Sequence, residues 1–135
     1  MRALVLLTAL LIGLAAPAGA ADDVATAQGV IRSQAEAFAR DDAQAAYSYA
    51  APALHGMFPQ ADIFMSMVQR SYAPVYRHRS FEFGESEASG GQIAQRVHII
   101  DANGEAWEAL YTLEREPDGS LKIVGCVLLK AGQSV

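Results

Sequence analysis

The sequence predicts an α+β domain in which two to three N-terminal helices pack on a bent, four-stranded antiparallel sheet. Up to Pro74 the apolar residues recur at helical spacing, and beyond it they alternate with polar residues, as they do in strands. Two short segments rich in Asp, Pro and Gly divide the later part and are typical of hairpin turns. Because the helices precede the strands instead of alternating with them, this order favours an antiparallel sheet.

Length and composition exclude several classes of protein. The chain has 135 residues, of which 52% are hydrophobic and 19% charged, so it suits one domain and is too apolar for a disordered chain. A net charge of −5 argues against nucleic-acid binding, which relies on a cationic surface. Cys126 is the only cysteine, so an internal disulfide, a two-cysteine redox motif and a Cys-rich zinc site are excluded.

The N-terminus has the three parts of a secretory signal peptide. Met1-Arg2 supplies a positive start, residues 3–16 form an uncharged apolar run, and Ala18-Gly19-Ala20 fits the A-x-A cleavage pattern. The run is shorter than the roughly 20 apolar residues of a membrane span, which disfavours an uncleaved anchor. We expect cleavage after Ala20, export to the periplasm or the medium, and a single mature domain over residues 21–135 with no membrane span.

The helical part divides at residues that start or stop helices. Apolar positions from Val24 to Phe38 predict one amphipathic helix, and Asp42 is placed to cap a second. Pro52 suits the first turn of a short helical segment. Residues 63–72 carry another apolar stripe, and Pro74 is expected to end that helix.

Two turns set the register of the strands, which are predicted over residues 75–87, 92–101, 105–116 and 120–130. Residues 101–104 and 116–119 both fit three-residue hairpin loops, which require Gly104 and Gly119 to have positive φ. A two-residue Asn-Gly turn would shift the first hairpin by one residue and mix charged with apolar side chains on both faces. The hydrophobic pattern therefore favours the longer turn.

This register gives the sheet one strongly apolar face, which the helices must cover. Ile99 is expected to face Trp107, and Tyr111 to face Gly125. The predicted core face carries Ile93, Val97, Ile99, Trp107, Ala109, Tyr111, Leu113, Ile123, Val127 and Leu129.

The other face is predicted to carry an apolar strip and to form a homodimer. The strip consists of Ile100, Leu110, Val124, Cys126 and Leu128. Its predicted polar rim consists of Arg96, Glu108, Glu114, Lys122 and Lys130. Contiguous exposed apolar patches usually mark an interface, and the tail over residues 131–135 is too short to cover this one.

Three stretches carry a resemblance to a known family: AFARDDAQAAYSYAAPAL, FPQADIFMSMVQRSYAPVYR and ALYTLEREPDGSLKIVGCVLL. Over about residues 28–130 the chain resembles a bacterial family described only as domain of unknown function 4864. The order of helices and strands is similar to the cone-shaped fold of nuclear transport factor 2 and ketosteroid isomerase. The resemblance implies a cone-like fold and, in many members, export. It implies no activity, because the family has no established one. The fold alone does not indicate a function either, since it hosts both enzymes and inert binding modules.

Amphipathic aromatic residues are the candidate ligand site. Each offers an apolar body with one polar tip, which suits the wall of a pocket. In a cone-like fold Tyr72, Tyr76, Trp107 and Tyr111 are expected to lie near one another at its mouth or wall. The alternative is that these side chains pack as ordinary core.

The other candidate groups have simpler structural interpretations. His55, His78 and His98 lie far apart in the predicted layout and lack metal-ligand spacing, and His98 lies opposite Glu108, which suggests a local pair. Cys126 is expected to be a buried structural thiol, because no base neighbours it in sequence.

Two groups of charged residues each have a functional and a structural interpretation. Asp101 and Glu105 fit an acid–base pair of the dehydratase type, but Asp101 is also the usual first residue of such a turn. The Arg77-His78-Arg79 run fits an anion site, but charged residues also protect an edge strand from aggregation.

These observations favour an exported module that binds a small apolar ligand or a partner without catalysis. No catalytic residue, metal or cofactor is predicted. One alternative is a cofactor-free isomerase or dehydratase, which requires ionisable groups converging in the cone. Another is a structural subunit of an envelope assembly, which requires a filled cone. An aromatic-lined cavity with few charges distinguishes the binding module from both.

Overall fold

The computed structural model describes residues 18–132, in which helices precede a four-stranded antiparallel sheet, so the predicted α+β class is confirmed. The helices are α1 (Ala18–Ala39), α2 (Ala43–Ser48), α3 (Pro52–Met57), α4 (Ala61–Ser71) and α5 (Ala73–Tyr76). The strands are β1 (His78–Ser89), β2 (Gln92–Asp101), β3 (Ala106–Arg115) and β4 (Leu121–Lys130), paired in chain order. Residues 1–17, most of the predicted signal peptide, lie outside the described residues.

The helix boundaries follow the predicted caps with one exception. Asp42 caps α2, because its side chain accepts a hydrogen bond from the Ala45 N–H at 3.1 Å. Helix α4 ends at Ser71, before Pro74 as predicted, but a further helical turn follows where a strand was expected. The break comes at Tyr72, and Pro74 lies in the first turn of α5, where its missing N–H costs nothing. Strand β1 consequently begins at His78, later than predicted.

Both hairpin turns have the predicted three-residue form. Gly104 has φ +82° and Gly119 has φ +88°, the left-handed region that favours glycine. The Asp101 N–H donates to the Glu105 carbonyl at 2.9 Å, which closes the first loop. The shorter Asn-Gly alternative is therefore wrong.

A β-bulge shifts the register of the last hairpin by one residue. Near the turn, the predicted pairing of Leu113 with Ile123 is confirmed. Further from the turn, Tyr111 lies opposite Cys126, where the sequence predicted Gly125. An extra residue in one strand of an antiparallel pair has this effect, and a glycine inside a strand often marks such a bulge.

The bulge exchanges the two faces of β4 beyond it. Cys126 and Leu128, predicted on the outer face, pack against the core. Val127 and Leu129, predicted in the core, point outward, and Val127 is 53% exposed. Val124, also predicted on the outer face, lines an interior cavity. Three residues of the predicted homodimer strip are thus wrongly placed by the sequence.

The outer face therefore carries a different apolar strip from the predicted one. Leu110 remains there and lies opposite Val127 in the sheet, with Leu129 two residues further along β4. These three residues are called the outer strip below. Ile100 is also on this face, but it lies opposite Ala106 at the far end of β3.

A second bulge, in β1, is held by a buried glutamine. The pairing of β1 with β2 shifts between Phe83 and Ser86. Gln95 is fully buried, and its Nε2 donates to the Gly84 carbonyl at 3.1 Å. Its Oε1 accepts a hydrogen bond from Gln28 Nε2 on α1 at 3.1 Å. Gln95 thus satisfies a carbonyl freed by the bulge and ties the sheet to the first helix.

The core lies between the helices and the inner face of the sheet. Helix α1 contributes Ile31 and Phe38, and α4 contributes Phe64 and Val68, all 4% exposed or less. The strands contribute Ile93, Val97, Ile99, Leu113 and Ile123, among others. This layering of helices on one face of the sheet is compatible with a cone-like fold. No helix within residues 18–132 is long and apolar enough to cross a membrane.

Candidate ligand-binding cavity

A cavity of about 300 Å³ lies between the helices and β4. Most of its wall is aromatic or aliphatic: Phe38, Leu54, Met57, Phe58, Phe64, Met67, Val68, Val75, Ile123 and Val124. Ligand pockets in proteins start at about this volume, and a dry cavity of ~150 Å³ already holds benzene. The space is therefore large enough for a small organic ligand.

Helical spacing places the side chains of the helix wall. On α1, Gln34 and Phe38 are four residues apart and share one face. On α4, Phe64, Met67 and Val68 are three and four residues apart and share another. These faces of α1 and α4 line the same cavity, because each helix packs its apolar stripe toward the sheet.

The sheet wall depends on the β4 bulge. In a regular strand alternate side chains point to opposite faces. Here the cavity is lined by every residue from Ile123 to Cys126, because the extra residue breaks that alternation.

An aromatic cluster keeps the helix wall in place. The ring of Phe64 lies 6.3 Å from that of Phe38, 6.2 Å from that of Phe58 and 5.6 Å from that of Tyr47. The Tyr47 hydroxyl donates to the Phe58 carbonyl at 2.5 Å. Tilted and edge-to-face aromatic contacts at these distances are favourable and fix ring positions, so the wall is preformed.

The cavity is electrically neutral near pH 7. Its titratable lining groups are Tyr72, Tyr111 and Cys126, and no carboxylate, histidine, lysine or arginine of residues 18–132 lines it. Burial raises the pKa of both tyrosine hydroxyls above the ordinary value. Burial also raises the pKa of the Cys126 thiol to about 12, against a smaller opposing effect of its hydrogen bond with Tyr111. All three groups therefore stay protonated.

Two side chains supply most of the polarity. The Tyr72 hydroxyl donates to the backbone carbonyl of Cys126 at 2.8 Å, which ties the end of α4 to the bulged strand. Gln34 is 4% exposed, and its Nε2 donates to the Ala46 carbonyl at 3.1 Å. The second amide hydrogen-bonding atom, Oε1, is left without a partner among the described residues.

The structure brings two of the four predicted site residues to the cavity. Tyr72 and Tyr111 line it, whereas Tyr76 and Trp107 do not. The Tyr76 hydroxyl bonds to the carboxylate of Asp41, and its ring packs 5.9 Å from that of Phe38.

Trp107 lies in a separate, more open depression. Its Nε1 donates to Asp101 Oδ2 at 2.9 Å, while Asp101 Oδ1 accepts the N–H groups of Asn103 and Glu105. The hydrogen bond from Trp107 is the largest of the effects that lower the pKa of Asp101. These contacts support the turn interpretation of Asp101 over an acid–base pair with Glu105.

The remaining charged candidates form structural contacts. His98 is opposite Glu108 as predicted, but Glu108 pairs with Arg96 at 2.9 Å. Arg77 pairs with Asp41 at 2.7 Å and also donates to a carbonyl of α1, so it is not a free anion ligand. Among residues 18–132 no group of three or more His, Cys, Asp or Glu side chains is placed to hold a metal ion.

Among the lining residues that the sequence analysis missed, Gln34 is the one with a polar amide side chain. It lies three residues after Ile31 and four before Phe38, both fully buried or nearly so. A polar residue within a buried helical stripe must find a partner inside the protein, so this position was a detectable signal.

Comparison with known proteins identifies the family. The chain matches Domain of unknown function (DUF4864) over residues 20–134. No curated protein and no solved structure gives a significant match. Because the match spans nearly all of the chain, the protein belongs to the DUF4864 family.

Proposed function

We propose that the protein is an exported binding module that holds a small apolar ligand in the cavity without chemical conversion. The observation that supports this most is a preformed, aromatic-lined space of about 300 Å³ with no carboxylate or histidine among its described lining residues. Protein interiors are normally close-packed, so an empty space of this size is unusual. Because its walls are apolar, an apolar ligand is the occupant that suits it. Export is supported by the signal-peptide pattern of residues 1–20.

The two alternatives fit the cavity less well. A cofactor-free isomerase or dehydratase needs an acid or base whose pKa is near neutral. The titratable groups of the lining all have raised pKa values and stay protonated, so none is a base at pH 7. A structural subunit suits a filled interior, so the open space favours a binding module over this alternative.

We place the mouth of the cavity at α3. Met57 lines the cavity and is nevertheless 68% exposed. A flexible thioether at this position suits a ligand entrance, because methionine adapts its shape readily.

Filling the cavity tests the proposal. Met67→Trp adds a bulky ring to the lining, and we expect it to weaken binding of n-octanol, measured by calorimetry, by at least tenfold. Ile63→Trp is the matched control, since Ile63 is on the same helix, is 44% exposed and is outside the lining. Equal affinity in both variants, or no n-octanol binding by the unmodified protein, would refute the proposal.

We also propose that two copies of the chain associate through the outer strip. The charged pair Arg96 and Glu108 flanks Leu110 on this face, so a two-fold rotation can set opposite charges against each other. The exposed Val127 lies opposite Leu110, within the surface that a second copy would cover.

Leu110→Lys tests this association by placing a charge within the strip. We expect sedimentation to show a dimer for the unmodified protein and a monomer for the variant, with unchanged circular dichroism. Ile63→Lys, on the exposed side of α4, should leave the dimer intact. An unmodified protein that is monomeric at high concentration contradicts the proposal.

A further inference from the structure

An unused hydrogen-bond acceptor lies in the wall of the cavity. Every buried side-chain nitrogen or oxygen of the described residues has a hydrogen-bond partner. Gln34 Oε1 accepts no hydrogen bond from the described residues. This oxygen must therefore keep some accessible surface, although Gln34 as a whole is only 4% exposed. Since Gln34 lines the cavity, the cavity is where this oxygen is accessible.

The orientation of this amide is fixed by its other end. Gln34 Nε2 donates to the Ala46 carbonyl at 3.1 Å. A carbonyl accepts only from a donor, so the amide nitrogen must point to Ala46 and the oxygen must point away. The cavity therefore meets an acceptor here.

Tyr72 adds a second acceptor. Its hydroxyl proton is engaged with the Cys126 carbonyl at 2.8 Å, which leaves the lone pairs of its oxygen for another donor. The Tyr72 hydroxyl therefore has no spare proton in this arrangement.

Nothing in the lining neutralises an anion. Arg70 and Arg77 lie around the separate depression that contains Trp107, and Arg77 is already paired with Asp41. A carboxylate in the cavity would thus be desolvated without a counter-charge, which is strongly unfavourable.

We infer that the cavity selects a neutral apolar ligand with a hydroxyl group, whose O–H donates to Gln34 Oε1. The inference rests on the proposed function and names its ligand class, a small apolar alcohol. A ligand with an acceptor only, such as an ether or ester, would leave the Gln34 oxygen unpaired once the cavity is filled, and that costs affinity.

Three probes of similar size separate this inference from the proposed function. We expect calorimetry to show heptyl methyl ether binding about tenfold more weakly than n-octanol, and octanoate at least a hundredfold more weakly at pH 7. Equal binding of the ether and the alcohol, or preference for octanoate, would overturn the inference while ligand binding stands. Binding of none of the three would overturn both.

Two glutamine variants test whether Gln34 is the source of the preference for the alcohol. Gln34→Met removes the acceptor at similar volume, and the preference for n-octanol over the ether should fall from about tenfold to about onefold. Gln28→Met is the control, because Gln28 is on the same helix but bonds to Gln95 and does not line the cavity. A preference that survives Gln34→Met would overturn the inference. If that variant fails to fold, the comparison of probes on the unmodified protein decides alone.

Discussion

Gln95→Met is expected to lower the free energy of unfolding by about 3 kcal/mol. The side chain is fully buried, and its Nε2 donates to the Gly84 carbonyl at 3.1 Å and to the Arg96 carbonyl at 2.8 Å. Methionine has similar length but no donor, so both carbonyls lose this partner. Each unsatisfied buried polar group costs about 1–3 kcal/mol. The Gln28 amide on α1 also loses its acceptor.

A second glutamine on the same strand provides the control. Gln92 is exposed, and its Nε2 donates to Glu114 Oε1 at 2.7 Å. Because water replaces that bond, Gln92→Met should change the unfolding free energy by less than about 0.5 kcal/mol. Chemical denaturation measures both variants. Similar stability of the two would show that Gln95 does not hold the β1 bulge.

The Cys126 thiol is expected to react with iodoacetamide about a thousandfold more slowly in the folded protein than in the unfolded chain at pH 8. The thiolate is the reactive form, and burial raises the pKa of this thiol from its ordinary value of 9.0 to about 12. The thiolate fraction at pH 8 then falls from roughly 10⁻¹ to roughly 10⁻⁴. A mass shift followed over time, with and without urea, measures the ratio.

A cysteine on the surface provides the control for the alkylation rate. Ser66→Cys on a Cys126→Ala background places a thiol on the exposed face of α4, and it should react at the same rate with and without urea. Rapid alkylation of folded Cys126 would contradict the neutral, buried cavity wall.

The same pKa shift predicts how stability depends on alkaline pH. Well below pH 9.0 the thiol is protonated in both states, so it adds no pH dependence there. Between pH 9 and about 12 the unfolded chain releases this proton while the folded protein retains it, so stability falls as pH rises. Cys126→Ala should remove this component.

The sequence was sufficient for the fold class and the turns because both depend on local chemistry. Gly104 and Gly119 occupy left-handed positions that few other residues tolerate, and they fix the register near each turn. Hydrophobic periodicity separated the helices from the strands.

The bulge in β4 could not be located in the same way. Gly125 indicates a break in a strand, but alternation alone does not say on which side of it the extra residue lies. One residue then inverted the faces of Val127 and Leu129 and moved Cys126 onto the cavity wall. Errors of register propagate along a strand because side chains alternate with period two.

The sequence predicted only part of the candidate site, because residue type does not show where a side chain lies in the fold. Tyr72 and Tyr111 have the amphipathic character that suits a pocket wall, and both line the cavity. Trp107 has the same character, but its indole N–H bonds to Asp101 in the hairpin turn, away from the cavity. Residue type alone does not distinguish these environments.

Ligand binding in the cavity is tested most directly by methyl-resolved NMR during a titration with n-octanol. We expect saturable shifts of the Val68 and Val124 methyl signals, because both side chains line the cavity. The Val127 methyls, which are 53% exposed on the outer face, should not shift. Absence of shifts at Val68 and Val124, or equal, unsaturated shifts at all three valines, would contradict a binding cavity between the helices and β4.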